Sequence, residues 1–172
     1  MLKTLLLFVL VTVATLHAQN EGLWEGYDGE WTHASRQLIA LAEATPPQKF
    51  SWRPAPGVRS IGEVYMHIAI ANFYLLSVTG AKEPDVSVSM EKTVTKKADV
   101  VNWLKRSLDA VATARAQLKP DDYQRKVSID GKTVTVDGMY LRIIVHANEH
   151  MGQSIAYARM NGIVPPWSKS VP

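Results

Sequence analysis

The sequence predicts an all-α fold, a four-helix bundle with a small β-hairpin between its third and fourth helices. Three observations carry that prediction. Apolar residues recur at steps of three and four through four separate stretches, the period of a helix with one buried face. Residues that start or stop helices bound those stretches. One segment breaks the pattern: β-branched residues alternate on either side of Asp130-Gly131, a strong hairpin signal because both turn residues tolerate positive φ.

The first stretch, from about 22 to 44, carries Trp24, Tyr27, Trp31, Ala34, Leu38 and Leu41 on one face and is closed by Thr45-Pro46-Pro47. His33 is offset from that stripe and reads as a surface or boundary residue. Phe50-Ser51-Trp52-Arg53-Pro54-Ala55-Pro56-Gly57 is a loop, because its breakers disfavour any regular element. Its Trp52 is expected to cover one end of the core. Ser60-Ile61-Gly62-Glu63 is a capping box, in which the Ser hydroxyl accepts from the N3 amide and the Glu reaches back to the N-cap amide. A second helix therefore runs from Ser60 to about Val78, with Gly80 as its stop. His67 lies in its middle, on a face shared with Glu63, Ile70, Ala71 and Tyr74.

Residues 81–94 are polar, contain Pro84 and show no sustained period. They read as a crossover loop, and loops of that length often lie beside a binding site. Thr95 offers an N-cap for a third helix over 96–118, with Val100, Trp103, Leu104, Leu108, Val111 and Leu118 inward. The hairpin follows, its strands at 126–129 and 132–136. Asp137 is positioned to cap a fourth helix over 138–160, which Asn161-Gly162 ends. That helix is apolar over much of its circumference and should be central. The tail, with Pro165-Pro166-Trp167, is expected to fold back on the surface.

Composition narrows the function classes. The chain has 172 residues, 47% hydrophobic and 20% charged, which suits one globular domain. A net charge of +3 without a basic cluster gives no reason to expect nucleic-acid binding. There is no cysteine, which excludes disulfides, a thiol nucleophile and any Cys-containing zinc site. Lys3, the uncharged run of 12 residues from Leu5 to Leu16, and the small residue Ala18 read as a secretory signal peptide over residues 1–18. The run is too short to span a ~30 Å hydrocarbon core, and no other segment is expected to be long enough to do so. An uncleaved anchor is the alternative. The expected product is an exported, periplasmic or secreted bundle domain over residues 19–172.

The chemistry concentrates in His146-Ala147-Asn148-Glu149-His150-Met151-Gly152-Gln153. Residues four apart share a helix face, so the two imidazoles can converge on one ion, and Gln153 joins them at the next step. His67 can supply a third imidazole if the second and fourth helices are neighbours, as bundles build metal sites from facing helices. Three neutral imidazoles with one position left for water describe a catalytic zinc site. If the three are unrelated core histidines, their rings stay more than about 5 Å from any shared point, beyond ~2.0 to 2.1 Å coordination. Gln153 would orient a ligand, with Glu149 and Glu63 as further supporting groups around the imidazoles. His-Ala-Asn-Glu-His also fits the pattern of inverted zinc peptidases, but the 22 residues after His150 leave no room for their distant carboxylate ligand.

The blocks Pro54-Ala55-Pro56-Gly57, Ser60-Ile61-Gly62-Glu63-Val64 and His67, then His146, His150, Gln153, Arg159 and Gly162, resemble the DinB/YfiT-like superfamily. The resemblance covers essentially the whole chain after the signal peptide. It implies a four-helix bundle, a divalent metal held by His67, His146 and His150, and homodimers. Relatives that are thiol-dependent S-transferases or a mycothiol-dependent isomerase imply a metal-activated thiolate. Zn²⁺ and Ni²⁺ are the expected ions, and the expected activity is a transferase or hydrolase acting on a small molecule. A non-catalytic bundle that captures a metal or small ligand is the alternative, with Trp31, Trp103 and residues 81–94 lining its pocket.

Overall fold

The computed structural model of the chain describes residues 25–82 and 84–170. Residues 1–18, expected from the sequence to be a signal peptide, lie outside the described residues. The elements are α1 (Tyr27–Ala44), α2 (Ile61–Val78), a short α3 (Met90–Thr93), α4 (Lys97–Ala116), strands β1 (Lys126–Ile129) and β2 (Lys132–Thr135), and α5 (Val136–Met160), with 3-10 turns at Pro47–Lys49, Pro120–Gln124 and Pro166–Ser170. The four long helices and the antiparallel hairpin are those expected from the sequence. Asp130 and Gly131 take positive φ of 49° and 73°, the conformation that a two-residue hairpin turn requires.

The packing order around the bundle is α1, α4, α2, α5. Consecutive α1 and α2 therefore sit across the core from each other, while α2 and α5 are neighbours. The core is built from Leu38 and Leu41 of α1, Val64, Ile68 and Leu76 of α2, Leu104 and Leu108 of α4, and Tyr140 and Ile143 of α5. α2 is long and apolar enough to span a membrane by length and composition alone, contrary to the expectation that no segment after residue 18 is. Most of its residues are instead buried within the bundle, as expected of a core helix.

The Pro-rich loop fixes the start of α2. The Phe50 carbonyl accepts from the Gly62 amide at 2.8 Å, and the Trp52 carbonyl accepts from Ile61 at 3.0 Å. A Cβ at Gly62 would stand 3.2 Å from the Phe50 carbonyl oxygen, so this close approach favours glycine. Trp52 meets Tyr157 of α5 edge-on, with ring centroids 5.4 Å apart, and so ties the loop to the second helix of the site.

The capping box forms as the sequence indicates. Glu63 Oε2 accepts from the Ser60 amide at 2.7 Å, and Ser60 Oγ accepts from the Glu63 amide at 3.3 Å. Burial raises the Glu63 carboxyl pKa, but the Ser60 amide and Arg53 outweigh it and hold the group below the usual carboxylate range. A folded pKa below the unfolded one adds stability above the unfolded value, and that stability is lost as pH falls through the folded value. Glu63→Ala is expected to cost about 1 kcal/mol at neutral pH. The gap from the parent should close in acid, as urea unfolding at a series of pH values would show.

Two boundaries differ from expectation. Thr135, not Asp137, caps α5: its Oγ1 accepts from the Gly138 amide at 3.0 Å, because β2 runs directly into the helix. Thr95 does not cap α4, whose N-cap residue is Lys96 with no side-chain bond. Lys97 Nζ instead bonds the carbonyls of Glu43 and Thr45, anchoring the start of α4 on the end of α1.

Candidate metal centre

Because α2 and α5 are neighbours, His67 reaches the two histidines of α5 across 79 residues of sequence. The ring centroids of His67, His146 and His150 lie 5.0, 4.6 and 4.5 Å apart pairwise. Their potential ligand atoms all lie within 4.8 Å of one another. Nε2 of His67 and Nε2 of His146 are 3.1 Å apart. A tetrahedral ion with bonds of ~2.0 to 2.1 Å holds its donors roughly 3.4 Å apart, so this pair is already at a suitable separation. The three rings converge, which rules out the reading as unrelated core histidines.

Other side chains hold two of the rings by their far nitrogen. Glu91 Oε1 is 2.7 Å from His67 Nδ1, and Gln153 Oε1 is 2.8 Å from His150 Nδ1. An ionised carboxylate and an amide oxygen only accept, so each Nδ1 must carry the proton. In the neutral imidazole Nε2 is then a bare lone pair. Such outer hydrogen bonds fix the tautomer and orientation of metal-binding histidines. The Gln153 amide is fixed in turn by its Nε2 donating to Tyr157 Oη at 2.9 Å.

The electrostatics favour neutral imidazoles at His146 and His67. Burial lowers the His146 pKa to about 4, helped by His150 and His67 beside it. Burial also lowers the His67 pKa, against the opposing pull of Glu91. His146 Nδ1 is buried without a hydrogen-bond partner. Lone pairs of neutral imidazoles brought this close repel unless a proton or cation lies between them. The donor set therefore fits a first-row divalent ion, for which imidazole is a suitable ligand.

Glu91 is the residue missed at the sequence level. It lies on α3, inside the stretch read as an irregular crossover, and only 8% of it is exposed. Arg59 compensates its charge, with Nε 2.7 Å from Oε2 and Nη2 3.3 Å from Oε1. Burial raises the Glu91 pKa, but the hydrogen bonds from Arg59 and His67 outweigh it and keep the group ionised. A four-residue helix is too short to show a period, so no sequence pattern marked it.

Two expected supporting groups are placed elsewhere. Glu149 is exposed and takes both bonds of the Arg142 guanidinium, at 2.9 and 3.2 Å; at one step from His150 it is turned about 100° around the helix. Glu63 is committed to the Ser60 amide and to Arg53 at 3.0 Å. Trp31 does not line a pocket at the site: it is buried in the core and donates to the Leu108 carbonyl at 3.2 Å. Trp103 packs edge-on against Phe73, with ring centroids 6.0 Å apart, and does not line the cavity beside His67.

Fold and site together define a helical-bundle protein with a three-histidine centre between adjacent helices. The family model described as the DinB superfamily matches residues 30–154, and the chain belongs to that superfamily. The chain is similar in structure to a DinB-like protein of Bacillus cereus, with TM-score 0.74 and 22% identity over 83% of this chain and 95% of that one. It is also similar to a DinB-like protein of Bacillus subtilis, with TM-score 0.64 and 17% identity over 80% and 93% of the two chains. At these identities the likeness concerns the fold. None of the curated proteins matches the chain.

Proposed function

We propose that this protein is an exported metal-dependent enzyme, a transferase or hydrolase of a small molecule, with Zn²⁺ or Ni²⁺ held by His67, His146 and His150. The observation that carries the reading is the convergence of three imidazoles, two of them with Nδ1 held by an acceptor so that Nε2 is bare. A divalent ion so held supplies Lewis acidity at a position left for water or substrate.

The chain's own residues prepare that position. Glu91 and Gln153 hold protons on the far nitrogens of His67 and His150 and set the planes of the rings. Arg59 keeps Glu91 ionised and therefore accepting. Among the described residues no fourth His, Asp or Glu joins the three histidines. His67 also lines a cavity, which favours catalysis over a closed storage or structural site. The alternative, a non-catalytic bundle that captures a metal or small ligand, uses the same three histidines. Turnover of esters or transfer to thiol acceptors by the metal-loaded protein distinguishes the two.

The test is metal analysis of tag-free protein recovered after export, whose chain is expected to begin near Gln19. About one first-row divalent ion per chain is expected, displaced by a strong chelator without unfolding. Protein that carries no metal and takes up neither Zn²⁺ nor Ni²⁺ at micromolar concentration would overturn the reading.

A further inference from the structure

A cavity of about 690 Å³ lies between α2 and the crossover that contains α3. Ile70, Phe73 and Tyr74 form one wall, and Pro84, Val86 and Val88 form the other. Arg59, His67 and Glu91 also line it, so it adjoins the histidine cluster. Its volume falls within the roughly 300 to 1,000 Å³ of small-molecule sites, which combine apolar walls with a few convergent polar groups. Tyr74 and Val88 are 49% and 71% exposed, so apolar surface faces water where a ligand would cover it.

The polar groups restrict the ligand's head. Both oxygens of Glu91 are committed, Oε1 to His67 and Arg59 and Oε2 to Arg59. Arg59 uses Nε and Nη2 on Glu91, which leaves Nη1 outside that fork. The uncommitted group beside His67 is thus a donor, and it suits an acceptor oxygen on the ligand. Asp85, the other carboxylate on the lining, is exposed on the crossover, where solvent screens it.

We propose that this cavity binds the apolar body of the substrate, a small aryl or branched-alkyl compound with a carbonyl or carboxylate head directed to the Arg59 guanidinium, beside His67. The proposal rests on the reading of the histidine centre as the site of chemistry. The crossover that walls the cavity also carries Glu91, so ligand packing and the orientation of His67 depend on one segment. Selectivity for the apolar body resides in residues 70–74 and 84–88.

Calorimetric titration of the purified protein, before and after chelator treatment, with 4-phenylbutyrate, butyrate and 4-phenylbutylamine tests this. The phenyl carboxylate is expected to bind at least tenfold tighter than butyrate and than the amine in both states. Ala71→Trp, which fills the cavity, and Val86→Asp, which makes its outer wall polar, should each weaken it at least tenfold. Thermal melts and metal content of both variants should match the parent, and Leu141→Ser on the exposed face of α5 should bind as the parent does. Equal affinity for the three ligands, or parental affinity in both cavity variants, would overturn the proposal. So would affinity that falls as protein concentration rises, because a second copy would then be covering the cavity. Chelator-treated protein reports on the cavity alone and metal content on the histidine centre alone, so failure of one reading is distinguishable from failure of the other.

Discussion

The double variant His146→Ala, His150→Ala is expected to bind a divalent ion about four orders of magnitude more weakly than the parent while remaining folded. Four-ligand zinc sites have apparent binding free energies of about 10 to 16 kcal/mol, or about 3 kcal/mol per ligand. Loss of two imidazoles then removes about 6 kcal/mol, and each 1.4 kcal/mol is a factor of ten. The fold should survive because alanine is the best helix former and both histidines are only half-buried on α5. Competition with a chromogenic chelator gives the affinity, and far-UV circular dichroism checks the helices. Stoichiometric metal that persists in the folded variant would place the ion elsewhere and dismiss the three-histidine assignment.

Glu91→Ala is expected to lower metal affinity by about 10- to 100-fold, the usual cost of losing an outer partner of a metal-binding histidine. Without the carboxylate, His67 Nδ1 has lost its acceptor, so the ring is free to rotate and to carry its proton on the ligating nitrogen instead. Glu91→Gln should retain much of the affinity, since an amide oxygen can still accept from Nδ1. That rescue separates the acceptor role of Glu91 at His67 from a role of its negative charge. Arg59 is left unpaired in the alanine variant, but its side chain is 41% exposed and water can solvate it. Equal losses in the Gln and Ala variants would show that the charge of Glu91 matters more than its acceptor oxygen.

Much of this fold is legible in the chain because its signals are local. The helix period in residues 27–44 or 136–160 is written in neighbouring residues, and Ser60 and Glu63 mark a helix start within four positions. The hairpin is written in Asp130-Gly131. The pairing of His146 with His150 needs only the helix period, and Gln153 follows from the same rule. Where two local signals compete, the boundary is not legible in the sequence: Asp137 and Thr135 are both able to cap α5, and the run of β2 into the helix favours Thr135.

The four long helices, the hairpin, the capping box and two of the three imidazoles are thus determined by the sequence alone. Tertiary structure decided that α2 and α5 are adjacent, which turns His67 from a core-facing histidine into the third member of the cluster. It also decided that Glu91, 24 residues from His67 and on no periodic segment, is the acceptor for its Nδ1, while Glu149 beside His150 is turned to Arg142. The reason is one of range. Periodicity and capping act over one or two helical turns, whereas a metal centre and its cavity depend on which helices bury their faces against each other, and that choice belongs to the packing of the whole core.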